Sequence, residues 1–403
     1  MGSRRSAGHA LIIIEVFALI VLLVFVVLQK GKFIKQDNTE QIDLGNTQNV
    51  ISEDATNVQS EKNKEEQEAT QIEVEEVVFS EQVMEKLSSM TLEEKVAQMF
   101  IITPEMLTNT EGVNVAGTAT ANAINTYPIG GLVYSAQNFV DKRQVKELLS
   151  KTQQYSMNRI GLPMVLAVEE VGGKEHSPLA TKNKYQIQSA ITDIKDVETA
   201  KKVAGNISAY LTEAGITMNM VPFGSLAFSS DIANTSVLAA ESVATYQEKG
   251  ISTAVGVFPG VVQGKDLVSW KETDALVFKS VINAGCDSII VGNVLYKELT
   301  ENDTTICSMS KNVVQYIRGE MGFKGILVTD SLSEEVVTLN YSSKEAAVSA
   351  VQAGMNMLCC PQNFAEAYQG IIDAVNNNEI KMETIDESVG RILTQKMSET
   401  TQE

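Results

Sequence analysis

The sequence predicts an α/β fold, a single (β/α)8 TIM-type barrel placed behind a transmembrane helix and a disordered acidic linker. The barrel rests on eight short apolar runs: Met99 to Ile102, Gly131 to Tyr134, Met164 to Val168, Met218 to Val221, Ser252 to Phe258, Ser288 to Val291, Gly325 to Thr329 and Met355 to Cys359. They lack polar alternation, as strands buried on both faces do. Amphipathic stretches such as Gln144 to Tyr155 and Ser343 to Ala353 lie between them. Eight such units in about 320 residues fit a closed barrel better than an open doubly wound sheet.

The N-terminal elements follow from charge and hydropathy. From Ala10 to Leu28 the chain is apolar apart from Glu15. These 19 residues make about 28 Å of helix at ~1.5 Å per residue, enough to span a bilayer. A cleavable signal peptide is the competing reading, but the run is long, ends in Gln29-Lys30-Gly31-Lys32 and shows no small-x-small cleavage site. Positive charge is balanced across the two flanks. A short Arg-bearing N-terminus ordinarily stays cytoplasmic, so residues 1–35 are expected to act as a single-pass signal anchor with the barrel on the extracytoplasmic side. Glu15 is either a functional intramembrane carboxylate or a residue protonated or paired near the interface.

Residues 36–80 carry twelve acids against Lys62 and Lys64, contain no Pro and only Gly45, and show no sustained apolar period. That composition describes a solvated linker, with a coil span of roughly 35 to 40 Å. The barrel then runs from 81 to 398, with residues 399–403 as a tail. Its first signal is Thr91-Leu92-Glu93-Glu94, a capping box ahead of an apolar-periodic helix.

Composition excludes several functions. With 32 Lys plus Arg against 51 Asp plus Glu, the formal charge is −19, which leaves no basic face for a phosphate backbone, so no nucleic-acid partner is expected. His9 and His176 are the only histidines and there is no Cys-x-x-Cys pair. No metal site and no cofactor are therefore expected. Cys286, Cys307, Cys359 and Cys360 lie mostly in apolar runs and are expected as buried free thiols. Adjacent Cys359 and Cys360 would point to opposite faces on a strand.

In a barrel of this kind chemistry gathers where strands end at the C-terminal face. The seventh run ends in Thr329-Asp330-Ser331-Leu332, which places a carboxylate at the rim. An Asp there also serves as an N-cap for the next helix. The third run ends in Val168-Glu169-Glu170-Val171-Gly172-Gly173, and the fifth in Phe258-Pro259-Gly260, with Asp266 further on. Two carboxylates across a rim are the minimum for glycoside hydrolysis.

At this point a resemblance becomes specific. From about Met90 to Lys396 the chain resembles the N-terminal barrel of glycoside hydrolase family 3, most of all its bacterial β-N-acetylglucosaminidases. It is carried by the ordered set Thr91-Leu92-Glu93-Glu94-Lys95-Val96, Gly130-Gly131-Leu132-Val133-Tyr134, Gly172-Gly173, Gly215-Ile216-Thr217-Met218-Asn219-Met220-Val221-Pro222, Phe258-Pro259-Gly260, Thr329-Asp330-Ser331-Leu332, Ala353-Gly354 and Glu387-Ser388-Val389-Gly390-Arg391-Ile392-Leu393.

The resemblance implies that Asp330 is the catalytic nucleophile. It also implies an eroded site. Where the family has Lys-His-Phe-Pro-Gly-His-Gly, this chain has Gly256-Val257-Phe258-Pro259-Gly260-Val261-Val262. The family's Asp-Ser-His, whose His is the acid/base, falls on Leu267, Val268 and Ser269. Its Asp-Gln-Glu-Gly-Gly-Arg becomes Glu169-Glu170-Val171-Gly172-Gly173-Lys174, its His after the sixth strand becomes Asn293, and its Asp after the fourth strand's Pro falls on Ser225. Glu169, Glu170 and Asn293 are carried over as substrate-binding positions, with Asp266 and His176 as substitute acid/base groups. The expected function is accordingly a membrane-anchored barrel, noncatalytic or strongly impaired, that binds a peptidoglycan-type cell-wall glycan or an envelope protein whose identity the residues do not indicate. The alternative is an active β-N-acetylhexosaminidase using Asp330.

Overall fold

In the computed structural model of the protein, residues 77–224 and 227–399 are described. The apolar stretch 10–28 and the linker up to residue 76 lie outside the described residues. No helix among the described residues is long and apolar enough to cross a membrane. Of the linker's last residues, Phe79 packs on the barrel, its ring covering the bare backbone of Gly390.

Eight parallel strands form one sheet. They are β1 (Phe100–Ile102), β2 (Gly131–Tyr134), β3 (Val165–Val168), β4 (Met218–Val221), β5 (Ser252–Phe258), β6 (Ser288–Val291), β7 (Ile326–Thr329) and β8 (Leu358–Cys359). Consecutive strands pair from β1 to β7, and β8 pairs back onto β1. A bridge between Val328 and Met357 joins β7 to β8, so the sheet comes round to a barrel. Every residue of β3, β6 and β7 is buried, which is why these segments appear in the sequence as unbroken apolar runs.

The helices between strands are delimited by local chemistry. The predicted capping box forms, Thr91 Oγ1 accepting from the Glu94 amide and Glu94 Oε2 from the Thr91 amide, both at 3.2 Å. Helices Lys142–Ile160 and Val197–Ala214 each begin behind an Asp that accepts from an amide of the first turn, and each ends at a glycine in the left-handed region.

The seam between β7 and β8 combines backbone bonds, from the Asn356 and Met357 amides to the Leu327 carbonyl and from the Thr329 amide to the Met357 carbonyl, with side-chain bonds. Asn356 Oδ1 accepts from the Leu327 amide at 2.8 Å and from Arg318 Nη2 at 2.7 Å, while its Nδ2 donates to Ser388 Oγ at 3.2 Å. Arg318 Nη1 also donates to the carbonyl oxygens of Phe323 and Gly325, bracketing the entry to β7. At the other end Thr329 Oγ1 accepts from the Cys359 amide at 3.0 Å. Below β1, the buried ammonium of Lys396 donates to Gln98 Oε1 at 2.8 Å, and Gln98 in turn donates to the Pro128 carbonyl.

All four cysteines are free and buried. Cys359 and Cys360 do not diverge as strand neighbours would. Cys360 leaves β8 with φ 43°, and in that left-handed turn its thiol lies beside Cys359 and donates to the Ile101 carbonyl at 3.9 Å.

The Asn356 cluster has a measurable consequence. Asn356→Leu keeps the approximate volume but orphans the Leu327 amide and one face of Arg318. We expect a loss of about 2 to 4 kcal/mol, read as a lower urea midpoint at unchanged slope. An effect near that of a surface substitution would show that backbone pairing alone holds the seam.

Candidate active site

The rim of the C-terminal face collects the side chains that follow β3, β5, β6 and β7. Asp330 leaves β7 half-buried. Its amide donates to the Val291 carbonyl of β6 at 2.8 Å, and its Oδ1 accepts from the Ser331 amide at 2.8 Å. No ion pair engages its carboxylate among the described residues. Burial pushes the pKa of Asp330 up and the single amide bond only partly opposes this.

Asn293 follows β6 and is 3 % exposed. Its Nδ2 donates to the Ser331 carbonyl at 2.8 Å and to Glu334 Oε2 at 3.0 Å, while its Oδ1 accepts from Ser308 Oγ at 2.7 Å. The amide is thus spent on protein groups, which corrects its expected role. Asn293 holds the turn after Asp330 and draws Glu334 back toward it, so it is not free to bind sugar. Glu334 was not singled out in the sequence, where it is a solvent-side acid in a turn. Burial and the charge of Asp330 both raise its pKa against the Asn293 hydrogen bond.

The two acids after β3 separate completely. Glu170 is fully buried; its Oε2 accepts from the Leu179 amide at 2.9 Å, and its Oε1 from the Ala180 amide at 3.2 Å and the Tyr210 hydroxyl at 3.0 Å. It braces the short helix Pro178–Asn183, and the expectation that it contacts substrate is corrected accordingly. Glu169 turns outward and meets His176 Nδ1 at 3.0 Å, both side chains being more than half exposed. A hairpin turn closed by the Gly172–His176 bridge supports this pair.

The loop after β5 offers no acid. Asp266 is exposed and caps helix Leu267–Lys271, accepting from the Ser269 amide at 2.8 Å. That bond and the Ser269 hydroxyl hold its pKa below the usual carboxylate range, so it stays ionised and cannot donate a proton near neutral pH. This corrects its expected role as a substitute. Gly256 lies against Ile290, and Val257 against the backbone of Gly292. Ser225 lies outside the described residues. Among the described residues, no group of three His, Cys, Asp or Glu is placed to hold a metal ion.

Comparison with known proteins gives this arrangement a context. Residues 91–395 match the glycosyl hydrolase family 3 N-terminal domain. A beta-hexosaminidase of Tolumonas auensis is 27 % identical over 282 residues, covering 62 % of this chain and 80 % of that protein. Beta-hexosaminidase A of Pseudoalteromonas piscicida is 22 % identical over 324 residues, 67 % of this chain, which spans about half (53 %) of that relative's length. The structure of a glycoside hydrolase family 3 beta-N-acetylglucosaminidase from Paenibacillus sp. str. FPU-7 superposes with a TM-score of 0.70 at 24 % identity, over 78 % of this chain and 64 % of the other. That last likeness establishes the fold.

The burial of Glu170 makes stability depend on pH. Desolvation pushes its pKa from 4.5 up to about 7, against the hydrogen bonds from the Leu179 and Ala180 amides and the Tyr210 hydroxyl, which favour the anion. Between those values the folded chain binds more protons than the unfolded one, so stability is fullest below pH 4.5 and falls as pH rises to about 7. Relative to Glu170→Gln, the wild type should lose up to about 3 kcal/mol across that window in denaturant titrations. A difference independent of pH would show that Glu170 is ionised throughout.

Proposed function

The chain belongs to glycosyl hydrolase family 3, through its N-terminal domain, and from that premise we propose that the barrel is a retaining β-N-acetylhexosaminidase. Its substrates in this proposal are terminal β-linked N-acetylglucosaminyl residues of peptidoglycan-type glycans. The observation that carries the reading is Asp330, held half-buried at the end of β7 by the Val291 carbonyl and the Ser331 amide, with no ion pair to neutralise it among the described residues. In the proposed reaction its carboxylate attacks the anomeric carbon as the bond to the leaving oxygen breaks and that oxygen takes up a proton. Water then attacks the glycosyl ester and gives its proton to a base.

A second reading, a barrel that binds glycan or an envelope protein without cleaving it, is favoured by the residues on the β5 loop. Ser269 is neither acid nor base near neutral pH and Leu267 cannot orient it. General acid/base assistance is typically worth about 10²- to 10⁴-fold, so turnover depends on whether another group supplies it.

Hydrolysis of an activated aryl β-N-acetylglucosaminide decides between the two. We expect cleavage with retention of configuration, and a fall of more than about 10³-fold in kcat/KM for Asp330→Asn, as when the group forming the covalent bond is removed. Saturable binding of the sugar with no hydrolysis would support the binding protein instead. Activity unchanged in Asp330→Asn would remove Asp330 from the chemistry.

We further propose that the apolar stretch 10–28 anchors the protein in the cell membrane by a single pass, the barrel lying outside. External protease added to intact cells should then release a soluble barrel, and the uncut protein should sediment with membranes. Recovery of a soluble protein already trimmed at its N-terminus would contradict the anchor.

A further inference from the structure

We propose that Glu334 is the general acid and base of this site, a catalytic residue supplied by the same turn that carries Asp330. The inference rests on the hydrolytic reading above and assigns the proton transfer that reading leaves open.

The geometry begins with a role that Glu334 does not take. It is the N-cap residue of helix Glu335–Thr338, yet its side chain makes no capping bond. It turns instead to Asn293, whose Nδ2 reaches both Glu334 Oε2 and the Ser331 carbonyl, at 3.0 and 2.8 Å. One amide nitrogen therefore folds the Glu334 carboxylate back to the residue next to Asp330. Asn293 is itself fixed by Ser308 and almost wholly buried, so the carboxylate is aimed by a rigid support.

The two acids also suit the two tasks electrostatically. Asp330 receives the Ser331 amide and is the more buried. Glu334 is exposed and so can exchange protons with solvent. The titratable groups that act on Glu334 or feel its charge are Asp330 and the Cys359 thiol; no Lys or Arg pairs with it among the described residues. Burial and the charge of Asp330 raise the pKa of Glu334, which favours the protonated form that a general acid needs.

The steps balance. Glu334 gives its proton to the departing oxygen while Asp330 becomes a neutral ester. Loss of the Asp330 charge then lowers the proton affinity of Glu334, which takes the proton of the attacking water as the ester bond breaks and Asp330 regains its charge. The enzyme ends as it began.

The test uses the full-length protein with Glu334→Gln and Glu334→Ala, whose exposed side chain makes loss of the fold improbable and checkable by thermal unfolding. For substrates with poor leaving groups, kcat/KM should fall by about 10²- to 10⁴-fold. For dinitrophenyl glycosides the first step should be spared, and glycosyl-enzyme should accumulate by intact mass. The basic limb of the pH profile should disappear. Azide should accelerate Glu334→Ala and yield the β-glycosyl azide. An equal fall across all leaving groups without azide product would overturn the role of Glu334. The same signatures in His176→Asn, with Glu334→Gln unaffected, would overturn it in favour of the Glu169–His176 pair. Asp330→Ala with azide should give the α-azide, and if it behaves as wild type the nucleophile assignment fails, whatever Glu334 does. A wild type inert even to dinitrophenyl glycosides overturns both.

Discussion

Everything at the mouth of the barrel depends on closing the sheet between β7 and β8. β8 contributes only Leu358 and Cys359, too little for a full ladder. Backbone bonds from the Asn356 and Met357 amides to the Leu327 carbonyl, and from the Thr329 amide to the Met357 carbonyl, extend the seam ahead of β8, and side chains supplement them: Asn356 and Arg318 where β7 begins, Thr329 where it ends. Because Asp330 follows Thr329 directly, the groups that close the barrel also set the height and direction of its carboxylate. The Val291 carbonyl on one side and the Leu332 amide bond to Cys359 on the other complete this fixation. Cores of this kind are not continuously deformable, so a carboxylate built on a strand end is held in place by the strand pairing itself.

Acidity at the rim follows from how the chain distributes its acids. Asp330 and Glu334 have no counter-cation among the described residues, and each feels burial. Asp266 and Asp196 sit at helix starts, where first-turn amides hold their pKa values below the usual carboxylate range. The same residue type is thus kept charged at the helix caps and pushed toward neutrality at the mouth. Such a contrast within one rim allows proton-donating chemistry without an imidazole.

Much of the fold was legible in the sequence because the barrel buries its strands on both faces. Seven of the eight apolar runs match their strands to within a residue, and the last shrinks to Leu358 and Cys359, with Asn356 and Met357 bonding to β7 ahead of it. The capping box at Thr91 was legible because it is local. The site was less so. Glu169 and Glu170 are neighbours past a strand end and therefore turn to opposite sides, and nothing in their spacing says which one faces water. Glu334 was passed over, since the contact that redirects it comes from 41 residues away. Cys360 departs from strand geometry only through its own backbone angle, a feature no residue pattern announces.

The buried Lys396 has a bearing on how the chain reaches this state. It joins the last helix to Gln98, 298 residues earlier, at the foot of the first strand. β1 likewise waits for β8 before both its edges are paired. The first strand is therefore exposed on one side until nearly all of the barrel has emerged. Contacts of such sequence separation are slow to form, and an unpaired apolar edge invites association in the interval.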